Sequence, residues 1–235
     1  MATIASRLQQ VRQRIVGAVA AAGRPETSVT LLAVSKTCTA ERVREAHAAG
    51  QARFGENYVQ EALPKIAQLA DLRASIEWHL IGPLQSNKTR AVAEHFDWVH
   101  SIDRLKLAER LSAQRPAQLG ALQVCLQVNI DGEASKSGLA PQEVAAVAHA
   151  VARLPGLRLR GLMAIPEPVA GFEAQRPAHR ALRELLDSLQ RDGLELDTLS
   201  MGMSDDLEAA IAEGATVVRV GTAVFGAREG PQSGA

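Results

Sequence analysis

The 235-residue chain balances 26 lysines and arginines against 26 aspartates and glutamates, and 46% of it is hydrophobic. With no net basic field to attract nucleic acid or an anionic membrane, a small-molecule partner is favoured. Cys38 and Cys125 form no metal-type pair and suit a reducing, cytoplasmic compartment, and no apolar run approaches the roughly 18 residues that a membrane span needs.

The length allows a sizeable core without disulfides. Residues 1–25 contain Arg7, Arg12, Arg14 and Arg24 but no acid, a composition shared with transit peptides. Ile4, Leu8, Val11, Ile15 and Val19 nevertheless recur at spacings of three and four, which predicts an amphipathic helix docked on the domain, and that is the reading taken.

Strand-like and helix-like segments then alternate. Strand 30–34 precedes a helix at 40–49 that ends at Gly50; strand 52–55 precedes helix 59–69; strand 76–81 precedes helix 88–94. Strand 97–101 leads to helix 104–114, and strand 122–128 to helix 141–153, which opens on Pro141. Strand 157–163, helix 176–192, strand 197–200, helix 205–213 and strand 216–220 complete the pattern. Eight such strands predict parallel βαβ units, and the chain approaches the roughly 250 residues of a (β/α)8 barrel. A doubly wound open sheet is the rival, because alternation does not prove closure. The expected organisation is one α/β domain over 1–230, with a flexible tail at 231–235.

Barrel enzymes place their chemistry at the C-terminal ends of the strands. Lys36 follows the first strand there, Gly55-Glu-Asn-Tyr58 the second, and Gly82-Pro-Leu-Gln-Ser-Asn-Lys88 the third. Asn129 to Gly138 follows the fifth, Ser200-Met-Gly-Met-Ser204 the seventh and Gly221-Thr222 the eighth. A lysine rising from an apolar strand has its ammonium form disfavoured by burial, which frees an amine to capture a carbonyl; a solvated lysine leading into the next helix is the alternative. The loops after strands seven and eight are where barrels hold phosphate. Ser200 offers a hydroxyl, Gly202 close backbone approach, and Gly221 and Thr222 a small, donor-rich turn. Simple capping by Ser204 or Asp205, with Glu208 closing a box, explains part of the same pattern. Arg219 is a charge within a strand and needs a partner on either face of the sheet, a structural ion pair being the plainest. On position alone, His79 and Met163 read as core residues, and Asp205 and Asp206 lack further metal-ligand spacing.

Taken together, Ala33-Val-Ser-Lys-Thr37, Phe54-Gly-Glu-Asn-Tyr-Val-Gln-Glu61, Trp78-His-Leu-Ile-Gly-Pro-Leu-Gln-Ser-Asn-Lys88, Gln127-Val-Asn-Ile130 with Ser135-Lys-Ser-Gly138, Arg160-Gly-Leu-Met-Ala-Ile-Pro166, Leu199-Ser-Met-Gly-Met-Ser-Asp-Asp206 and Val218-Arg-Val-Gly-Thr-Ala-Val-Phe-Gly226 resemble the YggS/PROSC family, the pyridoxal phosphate homeostasis proteins. The resemblance spans nearly the whole chain; 169–175 is its least familiar stretch. It implies a single barrel similar to the N-terminal domain of alanine racemase, of the PLP fold type III kind, with pyridoxal 5′-phosphate (PLP) held as a Schiff base (an internal aldimine) on Lys36. It further implies phosphate contacts from Ser200, Gly221 and Thr222, and Arg219 facing the pyridine nitrogen. Asn57, His79, Met163 and Met201 complete the implied cofactor-binding set.

A donor-only arginine leaves that nitrogen an unprotonated acceptor and a poor electron sink. Two-sided proton transfer also lacks a second acid/base, since the chain ends soon after strand eight and Tyr58 is its one tyrosine. The expected function is therefore cofactor storage and supply, with PLP-dependent apo-enzymes as possible recipients, no nucleic acid or membrane partner, and a monomeric state. A PLP-dependent amino-acid racemase and a cofactor-free Schiff-base aldolase are the rival readings.

Overall fold

A computed structural model describes residues 2–133 and 136–226; the expected tail and Ser135 lie outside them. The elements in chain order are α1 (Ile4–Ala21), β1 (Thr30–Val34), α2 (Ala40–Ala48), β2 (Arg53–Glu56), α3 (Val59–Gln68), β3 (Glu77–Leu80) and α4 (Thr89–His95). They continue as β4 (Trp98–Ile102), α5 (Leu105–Gln114), β5 (Leu122–Gln127), α6 (Val144–Ala152), β6 (Leu157–Met163), α7 (Phe172–Arg191), β7 (Thr198–Ser200), α8 (Leu207–Ala212), β8 (Val217–Val220) and α9 (Thr222–Phe225). Every strand pairs in parallel with its sequence neighbours, and β8 pairs with β1, Leu32 lying opposite Arg219. The sheet is a closed (β/α)8 barrel, so the open doubly wound alternative falls.

Strand alternation divides the side chains into two sets. Ala33, Phe54, Trp78, Leu80, Val99, Val124, Leu126, Leu162, Leu199, Val218 and Val220 join the helices in one large apolar layer. Two smaller apolar groups stand apart from it: Leu32, Val34, Ile81 and Val217, and Trp98, Cys125 and Met163. The same inward-facing registers carry His79, His100, Ser200 and Arg219, all buried. This lumen is far more polar than the branched aliphatic layers that usually fill a barrel of this size.

Helix α1 lies outside the barrel repeat. Thr3 caps it by accepting from Ser6 N–H at 3.1 Å, and the predicted stripe of Ile4, Leu8, Val11, Ile15 and Val19 is buried. Burying each such side chain contributes about 1.5–3 kcal/mol before entropy. Arg12 donates to the carbonyls of Ala49 and Gly50, Arg24 to Ile211, and Arg14 to Glu208 and the Ser204 carbonyl. Three of the four arginines that gave residues 1–25 a transit-peptide composition thus dock the helix over the seam where the barrel closes. Elsewhere in the barrel one backbone position is tightly specified: Gly161 in β6 has φ +158°, and a Cβ on it would lie 1.9 Å from the Thr198 carbonyl oxygen of neighbouring β7.

Candidate functional site

A cavity of about 1000 Å³ opens at the C-terminal ends of β1 and β8. Lys36, Ser204, Arg219, Gly221 and Thr222 line it, with Arg14 and Arg42 at its edge and Asp205 as its carboxylate. Four cationic side chains against one acid make it a natural seat for an anion.

Lys36 is half-buried rather than enclosed, and both of its neighbours are pinned. The Ser35 carbonyl accepts from Lys65 Nζ at 2.8 Å, and the Ser35 hydroxyl donates to Glu56 at 2.5 Å. Thr37 adopts a left-handed backbone, φ +63°, uncommon for a β-branched residue and a sign of imposed strain. Its amide donates to Glu61, and Lys65 ties the cluster together, 2.7 Å from Glu56 and 3.4 Å from Glu61. Burial pushes the Glu56 carboxyl above its usual range, and the Lys65 charge opposes that shift. This support was missed at the sequence level, although Glu56 and Glu61 stand in the quoted Phe54–Glu61 motif and Lys65 sits four residues after Glu61.

Arg219 is buried without an ion pair: the described residues place no carboxylate within 4 Å of it. Its guanidinium donates to the Ser200 carbonyl at 2.5 Å, the Ser200 hydroxyl at 2.9 Å and the Ala164 carbonyl at 2.8 Å. The structural ion pair that was the plainest alternative does not form among the described residues: carbonyl dipoles and a hydroxyl hold the charge. Burial pulls Arg219 down to about 10, with Asp206 opposing, so it stays charged near neutrality. These bonds use three of the five N–H donors of a guanidinium, leaving two for whatever occupies the cavity it lines.

The predicted site residues therefore separate. Lys36, Arg219, Gly221 and Thr222 converge on the cavity. Ser200 is fully buried in the lumen, its hydroxyl engaged by Arg219 and His100, and Ser204 occupies the cavity wall where a phosphate contact from Ser200 was expected. Met163 packs with Trp98 and Cys125, and Met201 lies in the outer apolar layer. His79 is buried in the lumen and reaches the opposite, N-terminal mouth. Asn57 directly follows β2, with its Oδ1 buried and unpartnered among the described residues. The cap expected from Ser204 or Asp205 is also corrected. Asp206 precedes α8, accepts from Met203 N–H at 2.6 Å and meets His179 at 2.9 Å, while Glu208 pairs with Arg14.

Several of these features fit PLP. The Val224 and Phe225 amides of α9 donate to the Gly221 carbonyl, which leaves those of Thr222 and Ala223, beside a cavity rich in cations, as the donors that suit a phosphate dianion. Gly221 lies so close to β1 that a Cβ would sit 3.2 Å from the Val34 carbonyl oxygen, so a small residue is favoured there. Arg219 offers donors to a ring nitrogen, Lys36 an amine to an aldehyde, and the orphaned Asn57 amide a further polar group.

Fold and cavity define a lysine-bearing (β/α)8 barrel with a cationic pocket at its strand ends. The chain belongs to the family described as alanine racemase, N-terminal domain, which matches residues 6–229, and within it to the pyridoxal phosphate homeostasis proteins. A protein of that name from Pseudomonas aeruginosa is 66% identical over 229 residues, 97% of each chain. The Escherichia coli K12 protein of the same name is 54% identical over 230 residues, 97% of this chain and 98% of that one. Among solved structures, PipY of Synechococcus elongatus with PLP bound is 41% identical, with a TM-score of 0.84 over 95% of this chain and all of that one. Alanine racemase from Corynebacterium glutamicum, 20% identical with a TM-score of 0.68 over 97% of this chain and 63% of that one, shares the fold.

Proposed function

We propose that this chain binds PLP at the C-terminal mouth of its barrel and serves PLP homeostasis and cofactor supply. The carrying observation is the convergence of Lys36, Arg219, Gly221 and Thr222 on one cationic cavity, in a chain whose relatives bear the homeostasis name and whose neighbour PipY was solved with PLP. In this reading Lys36 supplies the amine that holds the aldehyde, and Ser204, Thr222 and the amides opening α9 hold the phosphate. Arg219 donates to the ring nitrogen, and Asn57 contributes from the β2 end. His79, Met163, Ser200 and Met201 act behind the site, without touching the cofactor.

Bound PLP supplies a reversible carbonyl link to amines and, where its ring nitrogen is protonated, an electron sink. A guanidinium that remains charged and only donates keeps that nitrogen unprotonated, which supports a carrier over a catalyst. Two-sided proton transfer needs an acid/base on each face of the substrate carbon, and the one tyrosine, Tyr58, is 56% exposed and outside the cavity lining. PLP-dependent apo-enzymes are the proposed recipients. A site assembled by one chain supports a monomer with a single domain over 1–230. No helix among the described residues is long and apolar enough to cross a membrane, and a cytoplasmic location is proposed.

Titrating the purified protein with PLP tests the reading. A visible absorption band that saturates near one equivalent is expected, and Lys36→Ala should abolish it. Robust loss of optical activity from L-alanine, itself abolished by Lys36→Ala, would replace the carrier by a racemase. A protein that stays colourless with PLP would favour a cofactor-free aldolase.

A further inference from the structure

Behind Arg219 the barrel lumen contains a chain of polar groups that the cofactor reading does not use. Arg219 donates to Ser200 Oγ; Ser200 Oγ lies 2.7 Å from His100 Nδ1, His100 Nε2 lies 2.9 Å from His79 Nδ1, and His79 Nε2 lies 2.8 Å from Glu77 Oε1. His79, His100, Ser200 and Arg219 are each at most 4% exposed. Glu77, at the start of β3, lines a second cavity of about 570 Å³ at the N-terminal mouth, opposite Lys36.

Donor accounting gives this chain a single direction. Ser200 Oγ accepts from Arg219, which can only donate, so its own proton goes to the remaining partner, His100 Nδ1. His100 then carries its proton on Nε2 and donates to His79 Nδ1. His79 likewise carries its proton on Nε2 and donates to Glu77. Both rings are neutral, and every proton points away from the guanidinium.

We infer that Glu77, His79 and His100 are positioning residues for Arg219, forming a one-way relay that holds the Ser200 hydroxyl as an acceptor and couples the cofactor mouth to the opposite mouth of the barrel. The coupling rests on the PLP reading; the proton order does not. Placing a proton on His79 would set its Nδ1–H against the His100 Nε2–H. Relief requires reversing both links, after which Ser200 accepts from His100 as well as Arg219 and its own buried proton has no acceptor. The surroundings oppose that charge. Burial and then the neighbouring His79 and Arg219 hold His100 well below its usual range. Burial also lowers His79, against the pull of Glu77 and Asp97, with Arg53 adding to the lowering. The Trp98 ring stacks on His79 with centroids 5.3 Å apart, and Asp206 and Cys125 are the other groups facing Arg219.

The ligand-free protein, labelled with 15N-histidine, tests the proton order by long-range 1H–15N correlation at pH 7.5, with His79→Gln and His100→Gln assigning the rings. Both should be neutral with the proton on Nε2; a charged ring, or the proton on either Nδ1, would overturn the relay. Glu77→Leu tests the coupling. PLP affinity should fall about tenfold as the Ser200 hydroxyl, one of the three acceptors of Arg219, is no longer held in place, and the pH dependence of the PLP band should shift. Glu77→Gln, which keeps an acceptor oxygen, should stay within about twofold of the parent, and so should Gln123→Ala at the same mouth. Unchanged affinity and band in a folded Glu77→Leu protein would refute the coupling. A parent protein that binds no PLP would instead sink the cofactor reading, with the tautomers still deciding the relay.

Discussion

Replacing Lys65 with methionine keeps most of a side chain that is 5% exposed and removes its charge, while Glu56, fully buried, keeps its own. Glu56 already has one oxygen with no partner, and its other oxygen would retain only the Ser35 hydroxyl at 2.5 Å. Breaking a buried pair by removing one partner costs roughly 3–5 kcal/mol. Losing the donor to the Ser35 carbonyl adds about 1 kcal/mol, and proton uptake by Glu56 limits the total, so about 4 kcal/mol is expected near pH 8. For a chain of this length that lowers the melting temperature by roughly 10 °C. The sign of the pH dependence follows from Glu56. Its folded pKa is raised by burial and rises further without Lys65. Between the unfolded and folded values the native state holds the extra proton, so stability falls as pH rises through that window. The deficit, read from urea unfolding, should therefore be smaller at pH 5 than at pH 8. Adding Glu56→Gln should recover more than half of it, because the uncompensated charge is then gone. A loss under about 1 kcal/mol, a deficit that grows toward low pH, or a double variant no better than the single would refute this account of what pins Lys36.

Other consequences are smaller in scope. Gly202→Ala forces a side chain onto a backbone with φ +91° and a Cβ 2.5 Å from that of Ala210; urea unfolding should show a loss of about 2–4 kcal/mol, and a neutral result would mean the β7–α8 loop can move. Burial pushes the Cys125 thiol up to about 12, and burial also raises Cys38. Iodoacetamide at pH 8 should leave Cys125 unmodified in the folded protein and label it in urea, and fast native labelling would contradict its place in the lumen. Leu8→Ala, at a fully buried position of α1, should cost about 2–5 kcal/mol, whereas Arg14→Ala breaks a pair whose side chains are 40% and 45% exposed and should cost under about 1 kcal/mol by the same assay.

Much of the barrel was legible because its strands are short apolar runs separated by helical periods. The 30–34 and 157–163 boundaries match β1 and β6, and the other strands differ by a residue or two at their ends. Closure was not legible, since pairing of β8 with β1 is a property of register and tilt that local pattern does not carry. Helix α9, four residues long, has too few positions to show a period. Within the candidate site, Lys36 and Arg219 stood out in the sequence because such residue types are expensive to bury or chemically particular, and both line one cavity. Local pattern could not decide between the two hydroxyls of one motif: Ser200 and Ser204 stand four residues apart, and the end of β7 sends the first into the lumen and the second to the cavity wall. The histidine relay was hidden for the same reason, since its members come from β3, β4, β7 and β8 and meet only across the lumen.

The most direct test is to reduce the PLP-loaded protein with borohydride, digest it and map the added mass. The phosphopyridoxyl group should sit on the peptide containing Lys36 and be absent from the Lys36→Ala protein. Label on any other lysine, with Lys36 unmodified, would contradict the central assignment.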